Sequence, residues 1–235
     1  MSRQLRMAVG LFSLFFFVVM PAQALGPVDG EVSAVWWNNE YAVEEGGAGA
    51  SEDAAAPGFL AELWLMNRYG LRAGVYSSDL DDVGLDNSDY MSVDLLWRAF
   101  SPTENSFFAL GAGWTEMDLS TIGLAGDTSG ARLTAEGRVG IIALLYLYGQ
   151  GAYMPALDDA PATDPALGRF EDLESTELEL GVSWKILPVL SLRAGYRKQQ
   201  VEFLRTGFIP LPGSPTEVNG RVESDGFLAG LTARF

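Results

Sequence analysis

The sequence predicts an all-β protein: a transmembrane, antiparallel, up-and-down β-barrel of about ten strands, with eight strands as the alternative. Three observations predict it. Segments of about ten residues alternate apolar and polar side chains, as membrane strands do, up to the last residue, Phe235. Short and long connections alternate between these segments. Aromatic residues recur near the ends of the apolar faces, as at a lipid–water boundary: Trp36, Trp97, Trp114, Trp184 and Tyr196.

Residues 1–24 have the three-part layout of a secretory signal peptide. Two arginines precede a short apolar run, and an Ala-x-Ala cleavage site follows it. The run is too short to cross a bilayer as a helix, which takes about 20 residues. The sequence therefore predicts one barrel domain over residues 25–235.

The predicted strands each place apolar side chains on one face and polar side chains on the other. In chain order, each segment is given with two residues of its apolar face: 28–37 (Ala34, Trp36), 58–70 (Ala61, Leu63), 71–77 (Leu71, Ala73), 90–100 (Val93, Leu95), 107–116 (Leu110, Ala112), 131–140 (Leu133, Ala135), 175–185 (Leu178, Leu180), 189–198 (Leu192, Ala194) and 225–235 (Ala229, Leu231). A tenth segment, residues 144–153, is apolar on both faces apart from Gln150. The register of residues 139–155 therefore stays open.

The connections predict both chain ends on one side of a membrane. Short turns are expected near 68–70, 101–106, 140–143 and 186–189, and long connections over 42–56, 79–88, 118–130, 155–174 and 204–219. Long loops outside and short turns inside are typical of the bacterial outer membrane. A soluble sandwich or lipocalin-like barrel would also alternate. Charged inward positions and the aromatic residues favour the membrane barrel.

The composition excludes several function classes. The formal net charge is −16, which repels nucleic acid. Cysteine and histidine are both absent, so thiol chemistry, Ser-His-Asp hydrolysis and His-ligated zinc sites are unavailable. We expect no enzyme activity, no cofactor and no metal centre. A hydrolase based on the carboxylates of Glu177 and Glu179 is the weaker alternative.

The C-terminal segment resembles the assembly signal of bacterial outer-membrane barrels, with Gly230 five residues before a terminal Phe235 and Ala233 in place of a bulkier residue. Residues 180–197 ("LGVSWKILPVLSLRAGYR") and 225–235 ("DGFLAGLTARF") together resemble the YfaZ family of small outer-membrane barrels. The resemblance covers the last quarter of the chain. It implies a barrel in the outer membrane, with lipid and the barrel assembly machinery as partners, and no established activity.

The polar faces predict a charged barrel interior. The candidate residues are Glu62, Arg72, Asp94, Arg98, Glu136, Arg138, Glu179, Arg193 and Arg197, together with Arg68 and Glu177. Because a narrow barrel must fill its interior, we expect these side chains to pair with one another in a structural or surface-interaction protein. A narrow channel for small polar solutes is the alternative function.

The predicted long connections are acidic. Residues 79–89 ("DLDDVGLDNSD") meet only part of the EF-hand pattern, since Val83 and Tyr90 occupy ligand positions. We expect solvated loops there, with weak binding of divalent cations as the alternative.

Deleting Phe235 is expected to lower the amount of barrel inserted into outer membranes, because the deletion removes the end of the predicted assembly signal. The measurement is the fraction of chain that shows heat-modifiable gel mobility in isolated membranes. Insertion of the truncated chain at the normal level would contradict the assembly-signal hypothesis.

Overall fold

A computed structural model describes residues 28–78, 88–103, 106–119, 122, 124, 127–164, 166, 168–207 and 217–235. The predicted signal peptide and most of the predicted calcium-loop-like segment, residues 79–87, lie outside the described residues. No helix in the described part of the chain is long and apolar enough to span a membrane.

The described residues form one antiparallel sheet that closes on itself. Its strands are β1 (Val28–Glu45), β2 (Ala48–Leu65), β3 (Tyr69–Ser78), β4 (Ser88–Thr103), β5 (Ser106–Asp118), β6 (Asp127–Ile142), β7 (Leu145–Met154), β8 (Ala160–Pro161), β9 (Arg169–Leu187), β10 (Leu190–Thr206) and β11 (Glu217–Arg234). Each long strand pairs with its neighbours along the chain, β7 pairs with β9, and β11 pairs with β1. The two-residue β8 lies against β9. The predicted ten-stranded antiparallel barrel is confirmed, with β8 as an extra short strand.

The last residue of the chain extends the ladder that closes the barrel. The N–H of Gly30 donates to the Phe235 carbonyl at 3.0 Å, and the N–H of Phe235 donates to the Gly30 carbonyl at 3.1 Å. The Phe235 ring covers Gly30 so closely that an added Cβ would lie 2.1 Å from the ring. Glycine at position 30 is therefore part of how the first and last strands meet.

A belt of exposed apolar side chains surrounds the barrel. Its members come from all ten long strands and include Trp36, Leu65, Leu71, Leu95, Trp97, Leu110, Trp114, Leu133, Leu147, Leu180, Trp184, Leu192, Tyr196, Phe227 and Leu231. An apolar surface of this extent is unfavourable in water and matches the lipid-facing band of a membrane barrel. The belt lies nearer the turn end of the barrel, where β1 begins and β11 ends. We call the opposite end the loop end.

Several strands continue well past the belt toward the loop end. There the pattern reverses: Val201 and Phe203 of β10 are buried inside, whereas Lys198, Gln200 and Glu202 point outward. This reversal explains why the predicted strands 189–198 and 225–235 are shorter than β10 and β11. Outside lipid, the outward face meets water and the interior can be apolar.

The predicted long connection over residues 42–56 is wrong. β1 and β2 stay paired up to Glu45 and Ala48, and the turn between them is only Gly46 and Gly47. Both glycines have positive φ, 59° and 85°, as tight hairpin turns require. The sequence lacks clear alternation here because β2 carries small residues in this stretch.

The structure also decides the predicted inward placement of Arg68 and the register of β7. Arg68 lies exposed in the turn after β2, outside the barrel interior, which corrects its predicted inward placement. In β7, Tyr146 and Tyr148 are buried inside and Leu147 points outward. This gives the register that the apolar segment left open.

The contact between Gly30 and Phe235 generates a stability prediction. Gly30→Val should destabilise the barrel by about 1–3 kcal/mol, the usual cost of overpacking, because the side chain displaces the Phe235 ring. The measurement is the temperature at which the folded gel band is lost. Ala34→Val, a lipid-facing change on the same strand, is the control, and an equal effect of both changes would contradict the prediction.

Candidate functional site

The candidate site is a network of charged side chains inside the barrel, in its middle and toward the turn end. Six arginines and six carboxylates form one continuous series of ion pairs. Its main series, in order of contact, is Arg234, Glu31, Arg138, Glu136, Arg72, Asp94, Arg132, Glu177, Arg197, Glu179 and Arg193, and Glu62 is a further partner of Arg138. Formal charge is therefore balanced within the network.

Arg72 lies at the centre of the network. Its Nε and Nη2 donate to Asp94 Oδ2 at 3.1 and 2.9 Å. Its Nη1 donates to Glu136 Oε2 at 3.2 Å and to Gln150 Oε1 at 2.9 Å. Nη2 also donates to Thr134 Oγ1 at 2.6 Å. Every guanidinium nitrogen of Arg72 has a partner, which is the condition for keeping a charge buried.

Arg138 connects three carboxylates near the turn end. Its three nitrogens lie 2.6 Å from Glu31 Oε1, 3.0 Å from Glu62 Oε1 and 3.1 Å from Glu136 Oε1. These contacts join β1, β2 and β6 across the interior. A single cation thus offsets the mutual repulsion of carboxylates carried by three strands.

The other side of the network lies between β6, β9 and β10. Arg193 Nη2 is 2.6 Å from Glu179 Oε1. Arg197 reaches Glu177 at 3.4 Å and Glu179 at 3.5 Å. Arg132 reaches Asp94 at 3.0 Å and Glu177 at 3.5 Å, and so joins this side to the centre.

Arg98 is the exception among the predicted interior arginines. Within the described residues it forms no ion pair, although it is buried. Its guanidinium carbon lies 3.9 Å from the ring centroid of Trp64 and 4.0 Å from that of Phe107. Attraction to the faces of these two rings stabilises the cation. Trp64 and Phe107 pack with Leu96 and Ala109 into a small apolar layer at the turn end.

The loop end of the interior is closed by a larger apolar core. Its members include Trp37, Tyr41, Tyr76, Tyr90, Met117, Met154, Phe170, Leu173, Val201, Phe203 and Val222. Leu119, Leu124, Leu157, Ala160 and Ala162, from connections at the loop end, pack into the same core. The charged network therefore lies between two apolar layers.

Little free volume remains inside the network. A cavity of about 30 Å³ is lined by Glu31, Glu62, Arg72, Glu136 and Arg138, among others. A second, of about 10 Å³, lies beside Arg132, Glu177 and Arg197. Cavities of this size hold about one water molecule each. The interior around the network is filled by protein side chains.

The structure places all nine predicted interior residues inside the barrel, eight of them in the network and Arg98 beside it. Glu177, proposed as half of a carboxylate pair, belongs to the network too. Glu31, Arg132 and Arg234 complete it and were not singled out as candidates. Strand alternation already put Glu31 and Arg132 on polar faces, so that signal was present. Gly230 lies on β11 and Phe235 directly after it, and neither belongs to the network, although Phe235 follows the network residue Arg234.

The predicted cation-binding loops are only partly within the described residues. In that part of the chain, no group of three or more Asp or Glu side chains is arranged to hold a metal ion. At the loop end, burial and the nearby carboxylates of Asp118 and Glu116 raise the pKa of Asp127. Cation binding at these loops stays a prediction.

Comparison with known proteins identifies the fold. No family model and no curated protein matches the sequence. Among solved structures, the outer-membrane protease OmpT of Escherichia coli is similar with a TM-score of 0.56 and 12% identity, over 88% of this chain and 96% of that chain. An outer-membrane channel of Pseudomonas putida F1 has a TM-score of 0.45 and 13% identity, over 86% and 96%. OprG of Pseudomonas aeruginosa has a TM-score of 0.34 and 11% identity, over 88% and 95%.

At 12% identity the likeness to OmpT establishes the fold alone. Together with the apolar belt, it indicates a barrel of the bacterial outer-membrane type.

The network generates a stability prediction. Glu136→Gln should lower the free energy of unfolding by about 3–5 kcal/mol, because Arg72 and Arg138 lose a shared buried counter-charge. Glu44→Gln, which breaks an exposed pair with Arg221, should cost no more than about 1 kcal/mol. Urea unfolding in lipid vesicles, followed by tryptophan fluorescence, measures both. Equal costs would show that the interior pairs contribute no more than surface pairs.

Proposed function

We propose that this protein is a closed, non-enzymatic outer-membrane barrel that acts as a structural or surface-interaction protein, with its loop end outside the cell. The observation that carries the proposal is the filled interior: a charge-balanced network between two apolar layers. A water-filled pore needs a continuous polar path. The core that includes Trp37, Tyr76 and Phe170 interrupts any such path at the loop end.

The proposal that the protein is not an enzyme rests on the carboxylates and on composition. Glu177 and Glu179 are held by Arg132, Arg193 and Arg197 and do not face an open cleft. A general acid or base must reach its substrate. Histidine, the usual proton carrier near neutral pH, is absent from the sequence.

Orientation and partners follow from the strand ends. The belt of Trp36, Trp97 and Leu180 fits membrane lipid as the surrounding partner. β1 begins and β11 ends at the turn end, which in outer-membrane barrels faces the periplasm. Gly230 and Phe235 support recognition by the barrel assembly machinery, as the resemblance to the YfaZ family also implies. Weak divalent-cation binding by the acidic loops is part of the proposal.

The alternative function is a narrow channel for small polar solutes, and conductance separates the two. The purified barrel, refolded and inserted into planar bilayers, should give no steady single-channel steps. Insertion is checked independently by protease protection in the same lipid. Steady steps that change when Arg98→Ala or Arg138→Ala is introduced would overturn the closed-barrel proposal, because Arg98 packs in the turn-end layer and Arg138 lies in the charged network inside the barrel.

A further inference from the structure

β2 extends beyond its neighbour β3 at the loop end. The ladder between β2 and β3 ends where Gly58 pairs with Tyr76. The ladder between β1 and β2 continues from there to Glu45 and Ala48. Within the described residues, the part of β2 before Gly58 thus has a strand on one side only.

The unpaired backbone groups of this stretch can be assigned from strand alternation. Gly30 exchanges both backbone hydrogen bonds with Phe235, which directly follows β11. The backbone N–H and C=O groups of even-numbered β1 residues therefore point toward β11, and those of odd-numbered residues point toward β2. The register then directs even-numbered β2 residues, such as Glu52 opposite Tyr41, toward β1. The N–H and C=O groups directed away from β1 belong to Gly49, Ser51, Asp53 and Ala55.

Pro57 explains where the β2–β3 ladder stops. It has the same parity as Asp53 and Ala55, so its nitrogen is directed toward β3, and proline has no N–H to donate. Proline is found on edge strands for this reason. Pro57 lies opposite Trp36 of the apolar belt, so pairing on this side ends close to the lipid boundary.

The free edge is held rigidly. Arg205 Nη1 donates to Glu45 Oε1 at 2.6 Å and to Oε2 at 2.8 Å. Arg221 Nη2 donates to Glu44 Oε2 at 2.7 Å, and the N–H of Gly46 donates to the Asn219 carbonyl at 3.2 Å. These contacts fix the β1–β2 hairpin to β10 and β11. A preordered edge loses little entropy when a strand is added to it.

A row of carboxylates leads to this edge on the outer face. Asp225 of β11 pairs in register with Glu40 of β1, and Glu40 pairs with Asp53 of β2. Glu40 and Asp53 are exposed, and like charges directly opposite each other on a sheet are destabilising. Lys198 is in register with Asp225, but its amine bonds to Glu223. A cation opposite Asp53 would offset the charge at the open end of the row.

We propose that residues 49–55 of β2 form a docking edge for an extended, cationic peptide segment. The segment adds a strand through main-chain hydrogen bonds to Gly49, Ser51, Asp53 and Ala55 and places a lysine or arginine opposite Asp53. Within the described residues, no strand pairs with this side of residues 49–55, and the side chains of Ser51 and Asp53 are exposed. A second copy of the same edge fits worse, because residues 49–55 contain no lysine or arginine that could offset Asp53 of the first copy. The inference rests on the proposed surface-interaction role, which puts the loop end outside the cell.

The probe is a fluorescein-labelled eight-residue peptide of alternating lysine and threonine, and binding to the refolded full barrel in non-ionic detergent is followed by fluorescence anisotropy. Ser51→Pro removes one edge N–H, whereas Ser51→Ala keeps it. We expect Ser51→Pro to weaken binding by about tenfold, the value of one net hydrogen bond of about 1.4 kcal/mol. Ser51→Ala should bind like the unchanged barrel. Heat-modifiable gel mobility checks that both variants are folded.

The charge is tested with a matched pair of changes. Asp53→Asn and Asp164→Asn each remove one exposed carboxylate, and Asp164 lies in the connection between β8 and β9. We expect only Asp53→Asn to weaken binding, by at least about threefold at low salt, where surface charges are least screened. Equal weakening by both changes would show that general charge attraction alone explains peptide binding, and it would overturn the inference.

Other results would also overturn it. Unchanged binding by Ser51→Pro would mean that the main-chain edge is not used. A dimer in sedimentation that Ser51→Pro abolishes would assign the edge to a second copy instead. A closed barrel that fails to bind the peptide refutes only the docking edge, whereas a conducting barrel that binds it refutes only the closed interior.

Discussion

The rest of the structure depends on one constraint: at the depth of the lipid, every backbone N–H and C=O must be paired within the protein. The β1–β11 ladder meets it by running to the last residue, where Gly30 and Phe235 exchange both hydrogen bonds. The same constraint explains why the β2–β3 ladder can stop only where Pro57 lies beside the belt residue Trp36. An unpaired strand edge is tolerated beyond the lipid and not within it.

A closed barrel of ten long strands encloses an interior too narrow for a wide aqueous channel and too wide to be left empty. Charged side chains fill its middle, and they must then compensate one another, since an isolated buried charge is very costly. Arg72 and Arg138 achieve this by contacting carboxylates from several strands at once. Cross-barrel pairs of this kind fix the relative positions of strands that do not touch through their backbones.

Much of this could be predicted from the sequence, and the limits have physical causes. Alternation identified the strands within the belt and the inward faces of Glu136 and Arg197, because lipid on one side imposes a two-residue period. It could not identify the partners, since Arg138 and Glu31 are separated by 107 residues and meet only after closure. It also failed beyond the belt, because apolar side chains such as Phe203 turn inward where water replaces lipid. The hairpin at Gly46 and Gly47 could not be predicted because the small residues at the start of β2 show no clear alternation.

The reversal of pattern bears on what the barrel does. If the strands ended at the lipid surface, the loop end would carry only irregular connections. Instead, β1, β2, β9, β10 and β11 continue as a sheet whose interior is packed around residues such as Phe170 and Val222. That core closes the interior and at the same time supports the β1–β2 hairpin above the membrane. The core that fills the interior at the loop end thus also supports an exposed strand edge, and both features fit the proposed surface role.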